Sequence, residues 1–303
     1  MGPFSMGLSW FFFIMLAVIF WSVAAVIVKF IRIKFMRHPF SYMVITAPVC
    51  FFVLLLLFFG KVDFPDAEVL LFIALSALSA FLGYWLYLTA LRKEDVSTIV
   101  TLMGIQPLIV LIFATVFLGE TLSLKHYIAF PLMMVGSMAL SIKKVDKRFI
   151  CTSGILITLV SAILYSLNSV FIKAIQQTDF ITLNVLRQLA WLIFACAIFA
   201  SSGTIRAHVK ETVKAMGKKN LVLAYVAEFL GFSGMIFAIV AIQKGPVSLV
   251  TLTSSLEGLF VIILAALVSL FIPRFIKENI DKKTICLKIF SALLMLTGIA
   301  LVV

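Results

Sequence analysis

Three ionisable side chains lie deep inside long apolar stretches of this sequence, at Arg187, Glu228 and Glu257. At 1.5 Å per helical residue, they lie roughly 10, 12 and 15 Å from the nearer end of their stretch. A charge in such surroundings is costly unless it is paired or hydrated. Arg187 can form an ion pair with either acid, which would simply tie two helices together. Because there are two acids and one base, the other acid then remains free to bind a proton or a cationic group, so both acids are candidates for proton coupling.

Polar and aromatic side chains accompany these charges and could complete a binding site. An aromatic residue precedes a serine deep in two stretches, at Trp21-Ser22 and Tyr165-Ser166, and Asn168 follows within one turn. Aromatic faces bind organic cations and stack on planar solutes, although helix packing explains most aromatic and hydroxyl residues in such a chain. We predict that the following residues bind a solute: Trp21, Ser22, Gln106, Tyr165, Asn168, Arg187, Ser254 and Glu257.

No residue set has the spacing of a metal site or of a nucleophilic catalytic site. The four cysteines are scattered and show no CxxC pattern: Cys50, Cys151, Cys196 and Cys286. His38 and His126 lie near the ends of apolar stretches. We therefore predict no metal, no cofactor and no catalytic residue.

The elements that must hold these residues are membrane-spanning helices. The chain has 303 residues, of which 63% are hydrophobic and 13% are charged, and a soluble domain has about 25% charged residues. This composition excludes a soluble enzyme, a nucleic-acid-binding domain and a disordered protein. Because its apolar runs are long enough to cross a membrane, we predict an all-α integral membrane protein. The ten predicted transmembrane helices are 8–28, 40–60, 68–90, 97–118, 124–142, 151–173, 180–201, 220–242, 247–271 and 285–303.

Several finer features follow from the ends of these spans. The first run begins by Leu8 without a basic segment before it and is too long for a signal peptide, so no cleavage is expected. The connection at 202–219 has the spacing of a short surface helix. Trp10 and Tyr42 lie near span ends and are expected to anchor the chain at the membrane surface. No broken-helix signature of a sodium site is evident. Glycines and prolines inside the spans are expected to mark hinges or close contacts between helices: Pro48, Gly104, Pro107, Gly231 and Gly258.

The distribution of lysine and arginine predicts the orientation in the membrane. The connections after spans one, three, five, seven and nine hold 19 of the 25 basic residues, and the others hold 4. Basic residues are retained on the cytoplasmic side of a cell (inner) membrane, so the odd-numbered connections are predicted to lie inside. Both termini are then predicted to lie outside. The net charge of +12 therefore reflects topology, and no nucleic-acid partner is predicted.

The two halves of the chain resemble each other in three places that follow the same order. The matches pair 20–29 with 164–173, 83–97 with 234–248, and 132–136 with 294–298. Their offsets of 144, 151 and 162 are similar, which predicts two five-helix repeats at 1–148 and 149–303. Because five is an odd number of spans, the second repeat is inverted in the membrane. Inverted repeats are typical of secondary transporters whose site lies near the bilayer midplane.

The sequence resembles the drug/metabolite transporter superfamily, and most of all its EamA-type ten-helix branch. The resemblance rests on the aromatic–serine pair in the first span of each half, on Pro107 in span four with Leu-Gly-Glu at 118–120, and on Arg187 in span seven. It covers nearly the whole chain. The second half departs from the pattern, since Gly258 replaces the proline and no Leu-Gly-Glu follows span nine. The resemblance also implies that the termini lie in the cytoplasm, as in many members of the family. The distribution of basic residues in this chain predicts the opposite orientation.

The resemblance and the predicted repeats together indicate a secondary active transporter. It is expected to move a small organic solute, an amino acid-like metabolite or an organic cation, across the cytoplasmic membrane by alternating access, with proton coupling through one of the two acids. A flippase for lipids or lipid-linked sugars on the same scaffold is the alternative. A membrane-embedded enzyme and a structural subunit rank below both. The predicted partners are the solute and the lipid bilayer, while substrate identity, transport direction and oligomeric state stay open.

Overall fold

Helices make up nearly all of the computed structural model, which describes residues 3–35, 39–94, 96–141, 152–271 and 282–303. Their order is α1 (Pro3–Phe35), α2 (Pro39–Thr46) followed by a 3₁₀ helix (Ala47–Phe58), α3 (Ala67–Ala90), α4 (Val96–Met103), α5 (Gln106–Leu118), α6 (Leu124–Ser141), α7 (Ser153–Ala174), α8 (Phe180–Ser201), α9 (Gly203–Lys244), α10 (Val247–Ser254), α11 (Glu257–Phe271) and α12 (Lys282–Val302). No strand occurs among the residues so described. The prediction of an all-α protein is confirmed.

The helices are long and apolar enough for a multi-pass membrane protein. Within the described part of the chain, seven candidate spans meet both criteria: Ser9–Val28, Phe40–Phe58, Ala67–Ala90, Ser153–Ala174, Phe180–Ser201, Gly203–Lys244 and Val247–Leu264. Three shorter apolar helices coincide with the predicted spans four, five and ten: Gln106–Leu118, Leu124–Leu140 and Leu287–Val302. Every predicted span therefore has a helical counterpart.

Large apolar side chains remain exposed on the outside of the bundle. Phe58, Phe117, Val116 and Ile193 are 85%, 69%, 69% and 64% exposed. Soluble proteins rarely leave large contiguous apolar patches uncovered. This surface is suited to contact with lipid chains, which are as apolar as the side chains themselves.

Helix ends follow from local capping. Asp179 precedes α8, and its carboxylate accepts hydrogen bonds from the N–H groups of Ile181 (2.9 Å) and Thr182 (3.0 Å). Gly119 ends α5 with a φ of 64°, in the left-handed region that favours glycine, and its N–H donates to the Ala114 carbonyl. Such caps satisfy backbone groups that have no partner within the helix.

The long helix α9 consists of two helices that meet at a kink. Gly217 has φ of 65° and ψ of 170°, which interrupts the helical geometry. Residues 203–216 form the short surface helix predicted for this connection, with Thr212 and Met216 buried against the bundle. Residues 218–244 contain the predicted span eight.

The most extensive helix packing joins the first half of the chain to the second. α1 packs along α9, α3 along α7, and α6 along α12. In the predicted repeats, α7 is the counterpart of α1, α9 of α3, and α12 of α6. The contact between α1 and α9 therefore corresponds to the contact between α7 and α3, and the third contact joins two counterparts. The two halves are therefore interlocked rather than placed side by side.

Glycines allow these helices to approach closely. A Cβ atom placed on Gly234 would lie 2.7 Å from Trp21 Cδ1, and one placed on Gly83 would lie 3.4 Å from Tyr165 Cδ2. Two further contacts between a glycine and a methionine are reciprocal: Gly136 with Met295 and Gly298 with Met133. All of these residues come from the three sequence matches, so the matched positions are contact points between the halves.

Two aromatic residues lie elsewhere than predicted. Trp10 is 6% exposed and packs against Gly245, and Tyr42 is 1% exposed inside the bundle. The expectation that both anchor the chain at the membrane surface was wrong. Position along an apolar segment gives the depth of a residue, but it does not show which face of the helix the residue occupies.

Part of the charge distribution that predicts orientation lies outside the described residues. This applies to Arg37, Lys143, Lys144, Lys147, Arg148, Arg274 and Lys277. His38 and Cys151, which entered the search for a metal site, lie there too. The placement of both termini outside the cell therefore stays a prediction.

Candidate functional site

Two predicted spans are interrupted at equivalent positions. In span four, α4 ends at Met103 and α5 begins at Gln106, and in span nine, α10 ends at Ser254 and α11 begins at Glu257. Met103 and Ser254 are 151 residues apart, as are Gln106 and Glu257. Gly104, Pro107 and Gly258, which were expected to mark hinges or close contacts, lie at or beside these two interruptions. Hydropathy alone does not detect a short turn whose residues remain largely apolar.

Each interruption is a local tightening into hydrogen bonds between residues three apart. In the second half, the N–H groups of Ser255 and Leu256 donate to the carbonyls three positions earlier, both at 3.1 Å. In the first half, the N–H of Ile105 donates to the Leu102 carbonyl at 3.1 Å. The following Pro107 has no N–H, which favours a break there. The second break has no proline and falls in a stretch of serine and glycine, which have low helix propensity.

A serine from the opposite half reaches each break. Ser22 Oγ donates to the Glu257 carbonyl at 3.4 Å, and Ser166 Oγ donates to the Gln106 carbonyl at 3.4 Å. Both hydroxyl groups also donate to a carbonyl one turn earlier in their own helix, at 2.7 and 2.8 Å. The structure thus brings Ser22 to Glu257, through the backbone carbonyl rather than the carboxylate.

Trp21 and Tyr165 occupy equivalent positions but have different partners. Trp21 Nε1 donates to the Gly231 carbonyl at 3.0 Å, which attaches α1 to α9. Tyr165 lies within electrostatic range of all three ionisable residues that the sequence places in the apolar spans. The structure therefore brings Tyr165 among the buried charges and uses the indole N–H of Trp21 in helix packing.

Arg187 is buried among neutral partners. Its Nη2 donates to Asn168 Oδ1 at 2.9 Å, and its Nη1 donates to the Met235 sulfur at 2.7 Å. The residue is 3% exposed, and its Nε has no partner. Within the described part of the chain, neither Glu228 nor Glu257 lies within 4.0 Å of the guanidinium group. The alternative of an ion pair that merely ties helices together was therefore wrong.

Glu228 accepts a hydrogen bond from a tyrosine that the sequence did not assign to the site. The Tyr84 hydroxyl donates to Glu228 Oε1 at 3.1 Å, while the buried Tyr42 hydroxyl lies near the same carboxylate without forming a hydrogen bond. The ring centroids of Tyr84 and Trp191 are 6.1 Å apart. A signal for Tyr84 existed, because it adjoins Gly83 at the start of a repeated segment. Nothing in the sequence indicated that Tyr42 points inward.

Glu257 and Gln106 begin the second helical segment of their spans, at an end where the helix dipole is positive. A negative charge on Glu257 interacts favourably with that dipole. No described residue donates a hydrogen bond to the Glu257 carboxylate or forms an ion pair with it, and the Gln106 amide group is equally unpaired among them. Ser254 Oγ donates within its own helix, to the Thr251 carbonyl at 2.6 Å.

The connection between α9 and α10 is held from two sides. Glu120 accepts hydrogen bonds from the first two N–H groups of α10, at 2.9 and 3.2 Å. Lys173 Nζ donates to the carbonyls of Ile242 (3.1 Å) and Gly245 (2.8 Å). A cavity of about 470 Å³ beside this junction is lined by Leu118, Glu120, Lys173, Ala174, Gln176, Lys244, Gly245 and Pro246. Neither charged residue was predicted to act here, although Glu120 ends the Leu-Gly-Glu sequence and Lys173 belongs to a repeated segment.

The buried charges are single groups surrounded by aromatic, amide and hydroxyl side chains. Among the described residues, no three His, Cys, Asp or Glu side chains are placed to hold a metal ion together. Separate charged groups between aromatic walls suit the binding of a polar organic molecule.

Comparison with known proteins places this arrangement in context. The model of the EamA-like transporter family matches residues 8–142 and again residues 152–303. A solved crystal structure shares the fold with a TM-score of 0.70 at 18% identity, over 98% of this chain and 95% of that one. An uncharacterised protein of Methanocaldococcus jannaschii is 33% identical over 89 residues, which is 29% of this chain. That alignment spans 65% of the relative's length.

Proposed function

Because the chain belongs to the EamA-like transporter family, within the drug/metabolite transporter superfamily, we propose that it is a secondary transporter of a small organic solute. The members of the EamA-like family are membrane transporters rather than enzymes. The solute is an amino acid-like metabolite or an organic cation, carried across the cytoplasmic membrane by alternating access. The family match does not favour the flippase alternative.

The proposed architecture is a pair of five-helix repeats, 1–148 and 149–303, with the second inverted. Three observations support it. The family model matches the chain twice, once in each half. The breaks in spans four and nine fall at equivalent positions. The serine contacts to these breaks, and the glycine contacts between helices, are reciprocal. An odd number of spans in each repeat then requires opposite orientations.

The observation that carries the proposed site is the placement of Glu257. It starts the second segment of a broken span, lies inside the bundle, and has no basic partner among the described residues. A carboxylate in such a place is costly unless it binds a proton or a cation during the working cycle. Ser22 donates to the backbone carbonyl of Glu257, and Arg187 is hydrogen-bonded to Asn168, which lies three residues after Tyr165 on α7.

Proton coupling follows from competition for this carboxylate. Glu257 can hold a proton or the ammonium group of a solute, but not both together, so occupancy by one releases the other. Glu228 is the second candidate, with its proton exchanged through the Tyr84 hydroxyl. Competition of this kind produces exchange of proton and solute across the membrane.

The interlocked halves affect how access alternates. Because α1 packs along α9 and α3 along α7, the two repeats cannot separate as independent bodies without breaking their largest contacts. A motion that breaks fewer contacts is a tilt of α4 and α10 about the interruptions of spans four and nine. Glu120 and Lys173 would hold the α9–α10 junction in the present state.

The test is transport by purified protein in proteoliposomes under an imposed pH gradient, with neutral L-amino acids and primary amines as solutes. We expect Glu257→Gln to reduce pH-driven accumulation about tenfold to a hundredfold, the usual effect of losing a charge-assisted contact. Glu68→Gln, which neutralises an exposed acid in α3, is the matched control and should leave transport unchanged. Full pH-driven accumulation by Glu257→Gln would exclude coupling through this residue.

A further inference from the structure

We propose that Arg187 is the carboxylate-binding group of the site, so that the transported solute carries a carboxylate beside a hydrogen-bond donor; this rests on the proposed function. It distinguishes a zwitterionic solute from a simple organic cation. The starting point is a charge imbalance. Arg187 is a buried cation, and no acid among the described residues lies within ion-pair distance of it.

The neutral contacts of Arg187 leave most of its hydrogen-bonding capacity unused. A guanidinium group has five N–H donors, and it is always protonated in proteins. Asn168 Oδ1 and the Met235 sulfur each take one donor, while Nε has no partner at all. These two contacts fix the plane of the guanidinium group. The remaining donors, on Nε and on the two Nη atoms, retain the fork that suits a carboxylate.

Leaving this cation without an anion is energetically unfavourable in a bilayer. A buried charge that has lost its partner is strongly destabilising, and neutral dipoles compensate only in part. Glu228 is engaged by Tyr84. Glu257 lies near Tyr165, but outside ion-pair distance of Arg187. A carboxylate brought by the solute would supply the missing negative charge.

A second orphaned group lies on the same helix, one turn before Arg187. Asn184 Nδ2 donates to the Phe180 carbonyl at 2.8 Å, but its Oδ1 is buried without a partner. Residues three apart on a helix lie on the same face. An unpaired donor and an unpaired acceptor therefore occupy neighbouring positions on α8. A molecule with a carboxylate next to an ammonium or hydroxyl group satisfies both, whereas an organic cation satisfies neither Arg187 nor the charge balance.

The ammonium group of such a solute also accounts for Glu257. Asn168, which accepts a hydrogen bond from Arg187, lies three residues after Tyr165 and on the same face of α7. Arg187 and Glu257 both act electrostatically on Tyr165. A zwitterion placed along Tyr165 would have its carboxylate at Arg187 and would turn its ammonium group towards either Asn184 or Glu257. Opposite charges at the two ends of the site would select against solutes that carry only one of them.

The experiment compares matched solutes that differ only in the carboxylate. Counterflow is measured in proteoliposomes with the common neutral L-amino acids, their methyl esters and their decarboxylated amines, for example L-leucine, L-leucine methyl ester and isopentylamine. We expect the wild-type protein to prefer at least one amino acid over its own ester and amine by about tenfold or more. In Arg187→Gln this preference should fall to near unity, and in Arg187→Lys it should be partly retained.

The preference among solutes is measured because substitution of an arginine with a purely structural role would not change it. Arg92→Gln, which removes an exposed arginine, is the control and should keep the preference of the wild type. If the ester or the amine is carried as well as the amino acid, the carboxylate assignment is overturned while the transporter proposal stands. Equal loss of all solutes in Arg187→Gln, with selectivity unchanged, overturns it as well. If neither amino acids nor amines are carried by the wild-type protein, the proposed function fails together with this inference.

Discussion

The two broken spans have the same backbone plan and different chemistry. In the first half the break precedes Gln106 and Pro107, and in the second half it precedes Glu257 and Gly258. Each receives a serine hydroxyl from the opposite half at the same distance, 3.4 Å. One break thus carries a neutral amide group and the other a carboxylate. The two breaks therefore share their geometry, while the charge, and with it the proposed coupling, is found at the break in the second half.

A parallel difference separates the first spans of the two halves. Trp21 and Tyr165 both lie against a glycine of the other half, Gly234 and Gly83 respectively. The indole N–H of Trp21 is used for packing, whereas Tyr165 lies among the buried charges. The contact with a glycine is therefore common to both halves, whereas only Tyr165 of this pair lies near the buried charges.

The sharpest way to break the comparison is to move the acid from one break to the other. Relative to the tenfold to hundredfold loss expected for Glu257→Gln, the double variant Glu257→Gln/Gln106→Glu should recover part of the pH-driven accumulation. The reason is that both positions begin a helical segment of a broken span, and the backbone carbonyl of each accepts a serine hydroxyl from the other half. Accumulation in proteoliposomes is the measurement, with Gln106→Glu alone as control. A double variant no better than Glu257→Gln would show that the breaks are not interchangeable.

A smaller effect is expected at the reciprocal glycine contacts. Gly234→Ala should destabilise the protein by about 1–3 kcal/mol, because the new Cβ would lie 2.7 Å from Trp21 Cδ1 and force the helices apart. Gly83→Ala, at 3.4 Å from Tyr165, should change stability by about 0.5 kcal/mol or less. Chemical unfolding of the purified variants in detergent micelles measures both. Equal effects would mean that the two contacts are packed alike.

A substitution at Glu120 tests a contact made by the Leu-Gly-Glu sequence after span four, a sequence that does not recur after span nine. Glu120→Gln weakens the cap on α10, and we expect a loss of about 0.5–2 kcal/mol of stability. Glu68→Gln, at an exposed site, is the matched control. Thermal unfolding of the two variants, side by side, provides the measurement. No difference between them would remove Glu120 from the set of contacts that hold the α9–α10 junction.

The smallest expected effect concerns the glycine that takes the place of proline. Gly258→Ala should stabilise the protein by about 0.4–1 kcal/mol, because no atom lies within 4 Å of the new Cβ and the backbone is accessible to any L-residue. Gly231→Ala, at a similarly open position in α9, is the control. A loss of stability for Gly258→Ala alone would indicate that the second break depends on glycine as the first depends on proline.

The helical architecture could be predicted from the sequence because hydropathy reports it directly. Long apolar runs mark the spans, and three short matches mark pairs of positions that meet across the halves. Hydropathy alone does not reveal the breaks, because a short turn hardly changes the hydropathy of a span. Gly104, Pro107 and Gly258 were the signs that the sequence offered, and the second half shows that such a break also forms without proline.

The structure brings two of the predicted site residues together. Arg187 and Asn168 were both assigned to the candidate site and are hydrogen-bonded to each other. The sequence also allowed an ion pair between Arg187 and Glu228, but in the structure the Tyr84 hydroxyl donates a hydrogen bond to Glu228. Depth along a helix can be read from residue number, but the direction of a side chain around the helix depends on which neighbour covers that face. Pairing among buried polar groups is therefore decided by packing.

By itself, the sequence determined that this chain enters a membrane, where its apolar helices lie, and which charges must be accommodated inside. These properties depend on composition and on distance along the chain. Only the tertiary structure decided that the halves interlock, that two spans break at matching points, and that Arg187 and Glu257 remain without an ion-pair partner in the described residues. Such features arise when helices distant in sequence compete for the same neighbours, and packing and hydrogen bonding resolve that competition.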